Sequence, residues 1–341
     1  MDAQQKRRLL WQVPFLAFLI IGTLFVVRQQ RNMPYQRCSD FVFGTTFNVT
    51  YQSDSDMTYS IKDALRKVDY SLSPFNKESV ITAINDNKDV RPDKMFMDVF
   101  QMAMDVSRET EGAFDITVAP LVNAWGFGFK SGQKPTPRQV DSLKQIIGYQ
   151  KILVDDGMVR KQDPRMMLDC SAIAKGYGAD VVADVLRRHG VKNFMVEIGG
   201  EIVTSGVNPD RLPWKVGVIK PTDDSLSVSH ELQTILNVTD VAMATSGNYR
   251  NFYYEGGKKF AHTIDPQTGY PVQHSLLSAT VLAKTCAIAD AYATSFMVMG
   301  AERAQQVLER HPELMAYFIY DNGHGDHAVW FSPSLKKKIA D

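Results

Sequence analysis

Asp290 and Thr294 stand four residues apart in a run, residues 287–298, whose composition predicts a helix ended by Gly300. At that spacing both side chains project from one face, about one turn apart. A carboxylate and a hydroxyl so placed suit a hard cation with oxygen ligands, and magnesium takes few protein ligands besides substrate phosphates. The same spacing also describes a solvated helix face, or a threonine bonded back to its own helix. The neighbours Ala287, Ile288, Ala289, Ala291, Ala293 and Phe296 are small or apolar, and a carboxylate buried among them must find a partner or stay neutral.

Three other segments carry chemistry-bearing residues. In LDCSAIAKGYGAD (residues 168–180), Asp169 ends a strand-like run and Ser171 is placed to cap the next helix. Ala172, Ala174, Gly176 and Gly178 would let a backbone or a flat ligand approach closely, and a helix start favours anions. A capped helix packed on a sheet would read the same way. In HTIDPQTGYP (residues 262–271), Pro266 and Gly269 fit a tight turn that Asp265 can organise through its side chain. His262, at the strand end, is a candidate general base or an ordinary structural histidine. In GAFDITVAPLVNAWGFG (residues 112–128), glycines beside aromatic residues suit a flat ring system or a core corner. The chain has no G-x-x-x-x-G-K-[ST] phosphate loop, and Gly126, Gly128 and Gly132 miss the dinucleotide spacing. H-E-x-x-H and C-x-x-C are also absent, which argues against zinc and thiol redox chemistry.

The elements that must position these residues are legible in outline. Residues 40–51 read as a strand around Gly44, with Phe41, Phe43, Phe47 and Val49 at period two. Ile61, Leu65 and Val68 fall at helical spacing. A helix is predicted from Asp93 to about Thr110, with Gly112 as its stop, and another over residues 171–189. Strands are predicted over 194–198, 214–220, 232–238 and 276–283. Residues 251–263 read as a hairpin turning at Gly256-Gly257, and 316–331 as one turning near Asn322-Gly323. A helix over 301–310 stops before Pro312. Strands and helices without regular βαβ alternation predict an α+β fold.

The 341 residues carry 38 Lys+Arg and 38 Asp+Glu, so no basic footprint for nucleic acid is present. Hydrophobic residues at 44% predict a packed core. Cys38, Cys170 and Cys286 are too scattered for a disulfide framework and are expected to be free thiols. Lys6, Arg7 and Arg8 precede an uncharged run over residues 9–27, near the ~20 residues that cross a bilayer. No A-x-A-like cleavage site follows it. Residues 1–32 are therefore expected to be an uncleaved, single-pass anchor, and 33–341 one exported catalytic domain.

Taken together and in order, these segments resemble the ApbE family, the FAD:protein FMN transferases. The resemblance is carried by FDITVAPLVNAWGFG, LDCSAIAKGYGAD, EIGGEI, TSGNYRNFYYEGGKKFAHTIDPQTGYPV and IADAYATSFMVMG, and runs from about Phe43 to the C-terminus. It implies an ApbE-like mixed sheet-and-helix domain that splits FAD with magnesium, moves FMN to an acceptor threonine and releases AMP. It further implies metal ligands at Asp290, Thr294 and the Ala172 carbonyl. Flavin contacts are implied at Phe43, Phe75, Ala113, Phe114, Asp115, Asp169, Lys175 and the Ile264 backbone, with His262 or Asp265 near the chemistry. Ala293 stands where some relatives carry a second Asp, so the site would hold fewer charges. The implied partners are acceptor proteins with a flavinylation motif, notably extracytoplasmic subunits of electron-transfer complexes, and the implied location is the periplasmic side of the inner membrane. The acceptor pattern [DS]-G-x-T is absent here, so transfer would be in trans. FAD hydrolysis by water, or FAD binding without turnover, are the alternatives.

Overall fold

The computed structural model describes residues 12–24, 33–128, 134–221, 231–248, 252–255, 258–323 and 326–340. Its helices are α1 (12–24), α2 (Thr58–Leu72), α3 (Val80–Asn85), α4 (Lys94–Glu109), α5 (Ala119–Ala124), α6 (Pro137–Lys144), α7 (Ser171–Arg188), α8 (Cys286–Met299) and α9 (Ala301–Arg310). The strands are β1 (Tyr35–Val42), β2 (Thr45–Gln52), β3 (Ile152–Asp155), β4 (Met158–Lys161), β5 (Phe194–Ile198), β6 (Glu201–Ser205) and β7 (Trp214–Ile219). They continue as β8 (Leu232–Val238), β9 (Ala242–Gly247), β10 (Phe252–Glu255), β11 (Lys258–Ala261), β12 (Leu276–Ala283), β13 (Met315–Asp321) and β14 (His327–Phe331).

An eight-stranded sheet in the order β1-β2-β5-β6-β9-β12-β13-β14 forms the centre, and every neighbouring pair in it is antiparallel. Alternation along its strands divides the core into layers. On one face Ala244, Val281 and Phe318 pack with Phe296 of α8 and with α4 and α9. On the other, Met243, Leu282 and Ile319 pack against the β7–β8 ribbon through Trp214, Val216 and Leu236. Each wholly buried phenylalanine, such as Phe296 or Phe318, contributes about 2 kcal/mol of transfer free energy. Helix α8 is buried nearly all round, as expected of a helix wedged between other elements. It packs on α7, β9 and β12. The α+β expectation holds.

Residues 40–51 are not one strand. β1 and β2 pair as a hairpin in register Val42↔Thr45, so Phe43 and Gly44 form its turn, with φ of 51° and 75°. Positive φ at both central residues is the tight-hairpin geometry whose twist matches the strands. A phenylalanine there is strained, which hides the turn from a search for Asn-Gly or Gly-Gly pairs. The two predicted hairpins form as β10–β11 and β13–β14, although residues 256–257 lie outside the described residues. The three cysteines are free and buried.

Residues 12–24 are helical with exposed side chains. No helix among the described residues is long and apolar enough to cross a membrane. The two ends of the predicted 9–27 span lie outside the described residues.

Candidate active site

The two helices predicted to carry the chemistry meet at a glycine. A Cβ on Gly176 of α7 would lie 2.3 Å from the Cys286 carbonyl oxygen and 2.8 Å from Ala287 N, so α8 begins against bare α7 backbone. Asp180, one turn further along α7, accepts from the Cys286 and Ala287 amides, each at 2.9 Å, through its two carboxylate oxygens. It supplies the cap that α8 lacks from Thr285, whose side chain makes no capping bond. Burial lifts the Asp180 carboxyl to about 6, against the opposing pull of those two amides. Asp180→Ala would leave both amides without their acceptor, and is expected to lower unfolding free energy by about 3 kcal/mol. A urea transition at the wild-type midpoint would show that α8 starts without it.

This crossing places Asp290 over the start of α7. Asp290 is 2% exposed, and its Oδ2 accepts from the Gly176 amide at 3.1 Å. A regular helix directs that amide at the Ala172 carbonyl, so Asp290 competes for the donor on which Ala172 would otherwise rely. Lys175 Nζ lies 3.6 Å from Asp290 Oδ2 and 3.1 Å from Glu201 Oε1. Burial works against the Lys175 charge, but the Asp290 and Glu201 carboxylates overcome it and raise the ammonium above its ordinary value. Glu201, 3% exposed, is pushed up to about 8 by burial and by Asp290, with Lys175 opposing. Thr294 Oγ1 is 3.1 Å from Ser246 Oγ on β9.

These groups open into a cleft of about 870 Å³, within the range of cofactor-sized sites. Of the predicted residues, Phe43, Phe75, Ala113, Phe114, Asp115, Asp169, Ala172, Lys175, His262, Ile264, Asp290 and Thr294 all line it. Phe43 projects from the hairpin turn onto α7, where a Cβ on Gly178 would come within 2.8 Å of its ring. Phe75 is 73% exposed and stands at the mouth.

Asp115 and Asp169 are both held by hydrogen bonds. Asp115 accepts from Thr117 N and Oγ1 through one oxygen and from Tyr149 N through the other. Burial nonetheless keeps its carboxyl above the ordinary range, against those bonds. Asp169 Oδ1 accepts from Ser171 N at 2.8 Å and from the Ser171 hydroxyl. Ser171 does not cap α7 as the sequence predicts: it is the first helical residue, the N-cap position is Cys170 without a side-chain capping bond, and Asp169 just before it accepts from both the amide and the hydroxyl of Ser171. Asn85 pins the preceding segment by bonding both Leu168 N and Leu168 O.

Asp265 falls outside the lining. Its side chain accepts from Gln267 N at 2.8 Å and its backbone pairs with Tyr270 and Gly269, so it organises the turn after His262. Trp125 Nε1 donates to Gly269 O at 2.8 Å and holds that turn in place. His262 lies edge-on to Phe127, with ring centroids 6.5 Å apart.

Sequence reasoning missed Glu201, Thr245 and Ser246, which line the cleft, and Asp180, which caps α8. An acidic residue opening a buried strand after Gly199-Gly200 was the signal for Glu201. Thr245 and Ser246 gave none, because β9 itself was not foreseen.

The donors around Asp290 fit a hard cation. They are a carboxylate, a hydroxyl and a carbonyl competed for its donor, in a pocket with room for phosphate. No group of three or more His, Cys, Asp or Glu residues arranged to hold a metal occurs among the described residues.

The sequence profile of the ApbE family matches residues 43–318. The FAD:protein FMN transferase of Vibrio cholerae is 38% identical over 308 residues, 86% of this chain and 91% of its own. That of Escherichia coli is 35% identical over 291 residues, 83% of this chain and 81% of its own. Among solved structures, the V. cholerae flavin transferase ApbE superposes with a TM-score of 0.81 at 34% identity, covering 90% of this chain and 99% of the other. The apo Pseudomonas stutzeri flavinyl transferase ApbE gives 0.80 at 27% identity, covering 90% and 97%. With a profile match over most of its length and relatives above 30% identity, the chain belongs to the ApbE family.

Proposed function

We propose that this protein transfers the FMN half of FAD to a threonine hydroxyl of an acceptor protein and releases AMP. The observation that carries the reading is the convergence of Asp290, Thr294, Lys175, Asp169, Phe43 and His262 on one cleft of about 870 Å³. In balanced form, the threonine oxygen bonds to the FMN phosphorus, the bond from that phosphorus to the bridging oxygen breaks, and AMP carries the bridging oxygen away. The hydroxyl proton must leave as the bond forms. Magnesium, held by Asp290, Thr294 and the Ala172 carbonyl, would supply charge neutralisation at the diphosphate. Phe43 and Phe114 offer apolar surface to the flavin ring. His262, rather than Asp265, is the group on the cleft wall able to take the proton.

The test uses the full-length protein with FAD, magnesium and an acceptor carrying a D-G-x-T segment, followed by mass spectrometry. FMN-modified acceptor plus AMP is expected. Free FMN plus AMP with unmodified acceptor would replace the reading with hydrolysis, and unchanged FAD would leave only binding. His262→Ala is expected to slow transfer by about 10²–10⁴-fold while FAD is still bound; a wild-type rate would remove His262 from the chemistry.

The same proposal has residues 1–32 in the inner membrane with the domain outside the cytoplasm, supported by the uncharged run over residues 9–27 and the short amino-terminal tail before it; the run is flanked by Lys6-Arg7-Arg8 on one side and by Arg28 and Arg31 on the other. Digestion of the domain by protease added to intact spheroplasts is expected, and protection would reverse the topology. Acceptors would then be extracytoplasmic electron-transfer subunits.

A further inference from the structure

Glu201 begins β6 directly after the Gly199–Gly200 turn, whose φ values are 62° and 104°. Glu197 Oε1 fixes this turn by accepting from Gly200 N at 2.8 Å. The turn delivers the Glu201 carboxylate to the cleft wall. Its Oε1 accepts from Lys175 Nζ at 3.1 Å, while its buried Oε2 has no hydrogen-bond partner. A buried carboxylate with an unmatched oxygen is costly. Hydrophobic packing of similar volume often serves stability as well as a buried ion pair does. Glu201 is thus poorly explained by packing.

The arrangement gives one ammonium two carboxylates to choose between. Lys175 Nζ is at hydrogen-bond distance from Glu201, yet stands back at 3.6 Å from Asp290. Asp290 Oδ2 takes the Gly176 amide instead. Were Lys175 drawn fully onto Asp290, its charge would occupy the carboxylate that a divalent cation needs, since two cations at one carboxylate repel.

We propose that Glu201 is a positioning residue that draws Lys175 off Asp290 and so keeps the Asp290 carboxylate open to a divalent cation. The inference rests on the metal reading of Asp290 above. It adds that cation affinity is set by a residue that does not itself hold the cation.

The test is a double-substitution cycle on the full-length protein without FAD, reading magnesium binding by calorimetry. Glu201→Gln is expected to weaken magnesium binding about tenfold. In a Lys175→Met background, where no ammonium competes, the same substitution is expected to change it less than about threefold. Equal weakening in both backgrounds would mean that Glu201 acts by its own charge and would overturn the proposal, as would wild-type affinity in Glu201→Gln. Glu201→Met, which fills the same space, repeats the cycle if the Gln variant does not fold. Should the wild-type chain bind no magnesium, the proposal falls together with the metal assignment. Should it bind magnesium and transfer FMN while the cycle shows no coupling, only the role of Glu201 falls.

Discussion

Asp290→Asn is expected to lower FMN transfer at least about a thousandfold, because a cation at the diphosphate supplies several kcal/mol to the transition state and each 1.36 kcal/mol is a factor of ten. Asparagine keeps the volume and an oxygen able to accept from the Gly176 amide, which wild-type Asp290 does at 3.1 Å. It removes the charge that faces Lys175 and the cleft. A fold effect and a chemical effect can thus be separated by measuring the thermal midpoint beside the yield of modified acceptor. Alanine at the same position should abolish transfer too, but it also removes the carboxylate that accepts from the Gly176 amide and one of the two that face Lys175. Full transfer by the asparagine variant at physiological magnesium would end the assignment of Asp290 as a metal ligand.

Gly176→Ala should be among the most damaging single-methyl changes in the chain. Elsewhere in a helix, alanine for glycine gains up to about 1 kcal/mol in propensity. Here the added Cβ would meet the Cys286 carbonyl oxygen at 2.3 Å, its carbon at 2.6 Å and Ala287 N at 2.8 Å. All three are backbone atoms in the first turn of α8, so no side chain can swing aside. The helices must part, at an overpacking cost of about 3 kcal/mol, and the sterics outweigh the propensity. Parting them also loosens the Asp180 cap and moves Asp290 away from the Gly176 amide. The expected result is a lowered denaturant midpoint together with loss of transfer. An alanine variant with the wild-type midpoint would show that α7 and α8 do not touch at this point.

Much of the fold was legible where periodicity or punctuation was strong. Helix α4 begins after Asp93, whose side chain accepts from Phe96 N as a cap should, and α7 runs nearly as read. Strands β5, β7, β8 and β12 fell close to their predicted places. β6 and β9 did not. Both lie inside the sheet with both faces covered, so EIVTS and AMATSG lack the polar–apolar alternation of a half-solvated strand. The hairpin turn at Phe43-Gly44 was missed because its first residue is aromatic, and only pairing with β2 shows that the chain reverses there.

The site divides along the same line. By itself the sequence determined the chemical inventory: a carboxylate and a hydroxyl one helical turn apart, a small-residue helix behind Asp169, a histidine before a tight turn, and the order that marks the family. Those facts depend on local spacing, which helix and turn geometry translate directly. Only the tertiary structure decided which groups face one another. Asp180 caps a helix 106 residues away, Lys175 stands between Glu201 and Asp290, Ser246 meets Thr294, and Asp265 stays outside the cleft lining. Such pairings come from strand order and from the close crossing of α7 and α8 at Gly176. They are set by how the whole core packs, so no window of sequence contains them.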